Sequence, residues 1–82
     1  MGDKRVAQRM RVADARAELR VTQGVIVKAT GLSKQVITNA EKGDPIQRTS
    51  AHAILRALND IRRERGMETL SIDDLDFKIV GE

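Results

Sequence analysis

Residues 22–43 read TQGVIVKATGLSKQVITNAEKG, two short helix-like patterns on either side of a Thr-Gly-Leu-Ser turn. Thr22 precedes the first pattern as an N-cap, its hydroxyl placed to accept from a backbone N–H that the first helical turn leaves unpaired. Val25 stands where a full capping box would carry Glu or Gln. Val25, Ile26, Val27 and Ala29 follow, with Ile26 and Ala29 sharing a face. Gly24 inside this helix costs about 1 kcal/mol relative to Ala, so either something approaches the backbone closely there or packing holds the helix. Gly31 tolerates a positive φ and Ser33 caps the next helix at once, which predicts a sharp helix-to-helix angle within three or four residues. The third helix is expected from about Lys34 to Glu41, with Val36, Ile37 and Ala40 on its buried side and Lys34, Gln35, Thr38 and Asn39 outside. Lys42-Gly43-Asp44-Pro45 is a strong stop, because Gly releases the helix and Pro restricts the residue before it.

An outward face of Lys, Gln, Thr and Asn is the chemistry that reads base edges in the major groove of DNA. Charge agrees with a polyanionic partner. The chain carries +3 overall, but residues 1–65 hold fourteen Lys or Arg against seven acids, while residues 66–82 hold one Lys against five. A basic body attracts phosphate, which supplies much of the affinity in nucleic-acid complexes. Phe77 is the single aromatic residue, so the stacking platforms of single-strand binders are missing and duplex DNA fits better.

Eighty-two residues predict one domain that buries a modest fraction of its surface, for which a partner subunit is a benefit. There is no cysteine, which removes disulfides, thiol nucleophiles and thiolate metal sites. No segment approaches the 20 or so apolar residues that a membrane span needs, and the opening MGDKRVAQRMRV has no continuous apolar run. The expectation is a soluble cytoplasmic protein, associated with the nucleoid when bound, with no membrane partner. His52 is the sole histidine, no Gly-rich phosphate loop occurs, and the acids of the tail form no recognisable catalytic set. No enzyme activity, cofactor or metal is expected.

Upstream, Val6, Met10, Ala13 and Ala17 recur at helical spacing, predicting an amphipathic first helix from Lys4 to Leu19, with most of its arginines on a solvated face. A fourth helix is expected from Thr49 or Ser50 to about Arg63, its apolar stripe made of Ala51, Ile54, Leu55, Leu58 and Ile61. After Gly66, Ser71 with Asp74 three residues on reads as a cap and a short helical turn. Residues 75–80 alternate well enough for a strand, although Val80 breaks the pattern, and strand and short helix both stay open.

With these residues laid out, the chain resembles the helix-turn-helix domains of the Cro and CI phage repressors and the xenobiotic-response-element type regulators. The match runs from Thr22-Gln23 through Ile26 and Val27, Thr30-Gly31-Leu32-Ser33, Ile37 and Glu41-Lys42-Gly43 without a gap. The segment Thr49 to Leu58 looks like that family's fourth helix, so the likeness spans roughly residues 15 to 60. It implies an all-α, four- to five-helix lambda-repressor-like domain over residues 1–65, with residues 66–82 as an acidic, partly apolar tail. It also implies base reading by Lys34, Gln35, Thr38 and Asn39, and phosphate contacts from Arg20, Gln23, Lys42, Gly43 through its N–H, and Arg48. Gln23 would start the second helix against a phosphate, with Gln35 as a further neighbour. Gly24 and Val25 in place of polar residues, and Ala40 in place of a bulkier one, depart from the family's pattern and imply a less common packing of the helix pair. The Asp44–Arg48 turn is one residue longer than the commonest form.

The function this implies is sequence-specific transcriptional regulation, as repressor or activator, of phage or mobile-element type. One such domain reads four or five base pairs, so two-fold dimers on inverted repeats are expected. The expected dimer surface is Leu58, Ile61, Leu70, Leu75, Phe77, Ile79 and Val80, including a Phe77–Val80 strand paired with its symmetry mate; the competing expectation folds Leu75 and Phe77 back onto a monomeric core. The acidic tail is a candidate contact for RNA polymerase or a regulatory protein. The alternative function is an antitoxin or other protein-interaction module carrying a helix-turn-helix domain.

Overall fold

The computed structural model describes residues 9–81. Over these residues the chain is a compact all-α domain with four helices, α1 (Val12–Glu18), α2 (Gln23–Thr30), α3 (Lys34–Lys42) and α4 (Arg48–Glu64), followed by a 3-10 turn at Ile72–Asp74. Local chemistry sets the boundaries. Thr22 Oγ1 accepts from Val25 N at 3.4 Å and Ser33 Oγ from Val36 N at 3.3 Å, so both expected N-caps form. Gly31 and Gly43 close α2 and α3 at φ 77° and 85°. After α3 the Asp44 N–H donates to Asn39 O at 2.8 Å, and after α4 the Met67 N–H donates to Arg62 O at 2.8 Å. Each is the long backbone bond of a Schellman ending, which satisfies a carbonyl that the helix end would otherwise orphan.

The core is one cluster drawn from every helix: Val12, Ala15 and Leu19 from α1 and its end, Ile26 from α2, Ile37 and Ala40 from α3, and Ala51, Ile54 and Leu58 from α4, joined by Ile46, Leu75 and Phe77. Six of these side chains, Leu19, Ile26, Ile37, Ile54, Leu58 and Leu75, are less than 2% exposed. At about 1.5–3 kcal/mol per fully buried aliphatic side chain, they are the main source of stability.

Several sequence expectations are corrected here. The first helix begins at Val12 rather than Lys4: residues 9–11 are extended, and the expected stretch from Lys4 to Gln8 lies outside the described residues. Its buried face is Val12, Ala15 and Leu19, whereas Ala17 is exposed and Ala13 half-buried. The Met10–Ala13–Ala17 spacing is equally helical, but small alanines lose the competition for the core to Val12 and Leu19, which bury more apolar area. Ala29 is exposed; Ile26 alone of the α2 face is fully buried, with Val27 half-buried. An added Cβ at Gly24 would meet only Thr22 Oγ1, at 3.6 Å. Among the described residues nothing approaches that glycine closely, so packing through Ile26 holds α2. Arg48 starts α4 instead of lying in the preceding turn.

The tail is part of the core. Met10 and Leu75 form one parallel bridge and Ile46 and Ile79 another, with Met10 N donating to Asp74 O at 2.9 Å and Val80 N to Ile46 O at 2.8 Å. Residues 75–80 are therefore an extended strap laid over the helices, neither a helix nor a strand of a sheet, and the fold-back of Leu75 and Phe77 is what occurs. Asn59 ties the strap's approach to α4 by donating to Leu70 O and accepting from Leu70 N, both at 2.8 Å. Arg62, only 7% exposed, donates to Glu18 of α1 at 2.9 Å and to the Glu68 carbonyl. Arg65 donates to Leu19 O at 2.6 Å. The basic run after Ile61 thus works partly as internal cross-links. No helix among the described residues is long and apolar enough to cross a membrane.

Candidate nucleic-acid interface

Helix α3 is anchored from beneath. Ile37 is 1% exposed and Ala40 3%, with Val36 half-buried beside them. Residues 34, 35, 38 and 39 fall at helical spacings of one, three and four, which sets them on the opposite stripe. Lys34 and Gln35 are exposed, and Thr38 and Asn39 half-buried. Gln35 Nε2 donates to Asn39 Oδ1 at 2.9 Å, so the two amides are locked side by side. By the donor and acceptor inventory of an amide, that bond leaves one carbonyl lone-pair set and one amino group of the pair for an external edge. Nine residues at about 1.5 Å rise make a rod near 13 Å long, with the polar stripe along its length.

What holds α3 at its angle is a polar junction beneath the helices, unseen in the sequence reading. The Arg16 guanidinium from α1 grips the Glu41 carboxylate through Nε and Nη2, the latter at 3.1 Å, and its Nη1 donates to Val21 O at 2.9 Å. Gln23 from α2 donates to the same carboxylate at 2.9 Å. Three helices and the α1–α2 loop therefore meet at one acid whose side chain is 10% exposed. Burial pushes the Glu41 carboxyl up, but hydrogen bonds from Arg16 and Gln23 and the nearby guanidinium charge overcome it and hold the group below the usual carboxylate range. The Glu41 hydrogen bond likewise raises Arg16, against the lowering effect of burial. The signal available in the sequence was phase: Glu41 lies four residues after buried Ile37, and Arg62 four after buried Leu58, so both charges sit in the core-facing register and need internal partners.

The expected phosphate contacts fare unequally. Arg20 is exposed with φ 58°, the one non-glycine in the left-handed region among the described residues. Lys42 is exposed, 3.8 Å from Asp44. Arg48 is exposed on the first turn of α4. Gln23 is half-buried and its amide donates to Glu41, while Gln35 bonds Asn39 and not Gln23. The Gly43 N–H donates to Ala40 O at 3.3 Å in the helix ending. At Ser71 the expected cap is present, with its N–H donating to the Asp74 carboxylate at 2.8 Å. Of the expected dimer residues, Leu58, Leu75 and Phe77 belong to this chain's own core; Ile61, Leu70 and Ile79 are half-buried, and Val80 is 52% exposed. The edge of the strap at Lys78 and Val80 is bonded to Ile46 of the same chain.

No cluster of acidic or histidine side chains among the described residues is placed to hold a metal ion. Comparison with protein-family models, with curated proteins and with solved structures finds no match to this chain.

Proposed function

We propose that the protein is a sequence-specific double-stranded DNA-binding regulator of the Cro and CI type, with α2 and α3 acting as its helix-turn-helix and α3 entering the major groove. The observation that carries the reading is the Gln35–Asn39 amide pair on the outer stripe of a helix pinned from below by Ile37. Whichever way the amides are turned, the pair presents one acceptor and one donor. Adenine presents the complementary pattern, the N6 amino donor beside the N7 acceptor. Lys34 adds a donor for guanine O6 or N7, and Thr38 a methyl or hydroxyl contact. Arg20 and Lys42, with Arg48 at the start of α4, supply phosphate contacts that set register without reading sequence. Two copies on an inverted repeat supply enough base pairs for a selective operator, and occupancy of a promoter then represses or activates according to its position relative to polymerase.

Selection from a randomised duplex pool tests this. Wild type enriches an inverted repeat whose half-site centres lie about one helical turn apart. Gln35→Ala weakens the selected site by about 5- to 150-fold, the equivalent of 1–3 kcal/mol per bidentate contact, and leaves random duplex binding near its original level. Failure of wild type to prefer any sequence over random competitor at moderate salt would sink the proposal.

A further inference from the structure

Arg20 has φ 58°, a backbone conformation that crowds Cβ against the following carbonyl and that glycine adopts freely. It follows Leu19, the C-cap of α1, and stands two residues before the Thr22 cap of α2. Its N–H donates to Ala17 O at 2.9 Å. The side chain adds nothing to the fold: it is exposed, and among the described residues its guanidinium has no hydrogen-bond or ion-pair partner. Both flanking carbonyls, however, are held by arginines from elsewhere. Leu19 O accepts from Arg65 Nη1 at 2.6 Å, and Val21 O from Arg16 Nη1 at 2.9 Å. Arg16 also grips Glu41 of α3, so one clamp ties the loop to α3 and the other ties it to the end of α4.

We infer that Arg65 is a positioning residue for the Arg20 guanidinium, holding the left-handed loop so that this cation meets a duplex phosphate beside the start of α2. The inference rests on the DNA reading above and deepens its phosphate contact. Strained residues persist where their surroundings over-determine the backbone, and they cluster at functional sites. Here the surroundings are a clamp on each side, and the strained position carries a long cation that packs against nothing, where glycine would relieve the strain. The Arg65 bond also satisfies a carbonyl that the end of α1 would otherwise leave orphaned. That second role is purely structural, so DNA binding is the readout that separates the two.

A random-sequence duplex of about 20 base pairs is a sufficient probe, since phosphate contacts carry no sequence information. Fluorescence anisotropy over a salt series gives the affinity and its salt slope, with circular dichroism melting as the check of folding. Arg20→Gly should melt at or above wild type, and a clear drop would remove the argument from strain. It should bind about eightfold more weakly at about 0.1 M salt and lower the salt slope by about 0.9, the amount one phosphate contact contributes over the decade below about 1 M. Arg65→Ala should reproduce at least half of that loss on a logarithmic scale and shift the slope the same way, while the double variant binds no more weakly than Arg20→Gly alone. Arg65→Lys, with one donor left for the carbonyl, should fall between wild type and Arg65→Ala, and it takes the place of Arg65→Ala in the cycle if that variant unfolds. Unchanged affinity and slope in folded Arg65→Ala would overturn the inference. So would losses that multiply in the double variant, because Arg65 then touches phosphate itself. A wild type that binds no duplex sinks this inference together with the DNA reading; variants that behave as expected on a wild type that enriches no sequence sink the base reading alone.

Discussion

Replacing Glu41 should loosen the junction of the first three helices. Its carboxylate accepts from Arg16 and Gln23 and joins α1, α2 and α3 at one point. Breaking a buried pair by removing one member costs about 3–5 kcal/mol. Arg16 softens that here, because its side chain is 24% exposed and it keeps the Val21 carbonyl, so Glu41→Ala is expected to lose about 2–3 kcal/mol. Urea denaturation at pH 7 should show a lower midpoint with an unchanged m value. The pH dependence gives a sharper check. The folded-state carboxyl is held below its ordinary value, so its contribution is fully present above the unfolded value of about 4.3 and disappears as pH falls through the lower, folded one. Glu41→Gln keeps the shape without the charge. The stability gap between wild type and Glu41→Gln should therefore be largest near neutrality and shrink steadily below pH 4, as wild type acquires the proton. A gap that stays constant from pH 7 to pH 3, or a loss below about 1 kcal/mol in Glu41→Ala, would refute the account of the junction.

Phe77→Ala should cost about 3–5 kcal/mol in thermal or urea unfolding, because the ring is 8% exposed and closes the core under the strap; a loss of a few tenths would show that the strap only rests on the surface. Asn59→Ala, which removes both bonds to Leu70, should cost about 1–2 kcal/mol and accelerate hydrogen exchange at the Leu70 amide well beyond that of the α4 interior. Gly43→Ala should destabilise by about 1–2 kcal/mol through backbone strain alone, since the residue has φ 85° and open space where a Cβ would stand. Under the same assay Gly24→Ala should be neutral or stabilising by up to about 1 kcal/mol, the contrast that distinguishes conformational strain from crowding.

Short-range patterns were legible in the chain because they act over three or four residues. Thr22, Ser33, Gly31 and Gly43 mark helix ends through hydrogen bonds and φ values that involve only near neighbours, and the Ile37–Ala40 spacing identifies the buried side of α3 and hence the outward stripe at 34, 35, 38 and 39. Where two phases competed, as in α1 with its alanines beside Val12 and Leu19, periodicity alone chose the wrong face; burial of the larger side chains decided it. The Arg16–Gln23–Glu41 junction joins residues 18 and 25 positions apart, a separation at which sequence carries no pairing signal beyond a charge occurring in a core-facing register.

The amino-acid order alone therefore determined that four helices form, the caps of α2 and α3 and the polar face of the third, since each depends on backbone geometry and local side-chain chemistry. Tertiary packing decided the rest. Leu75 and Phe77 turn inward because a small four-helix core has apolar area left to cover and the strap can bond its backbone to Met10 and Ile46.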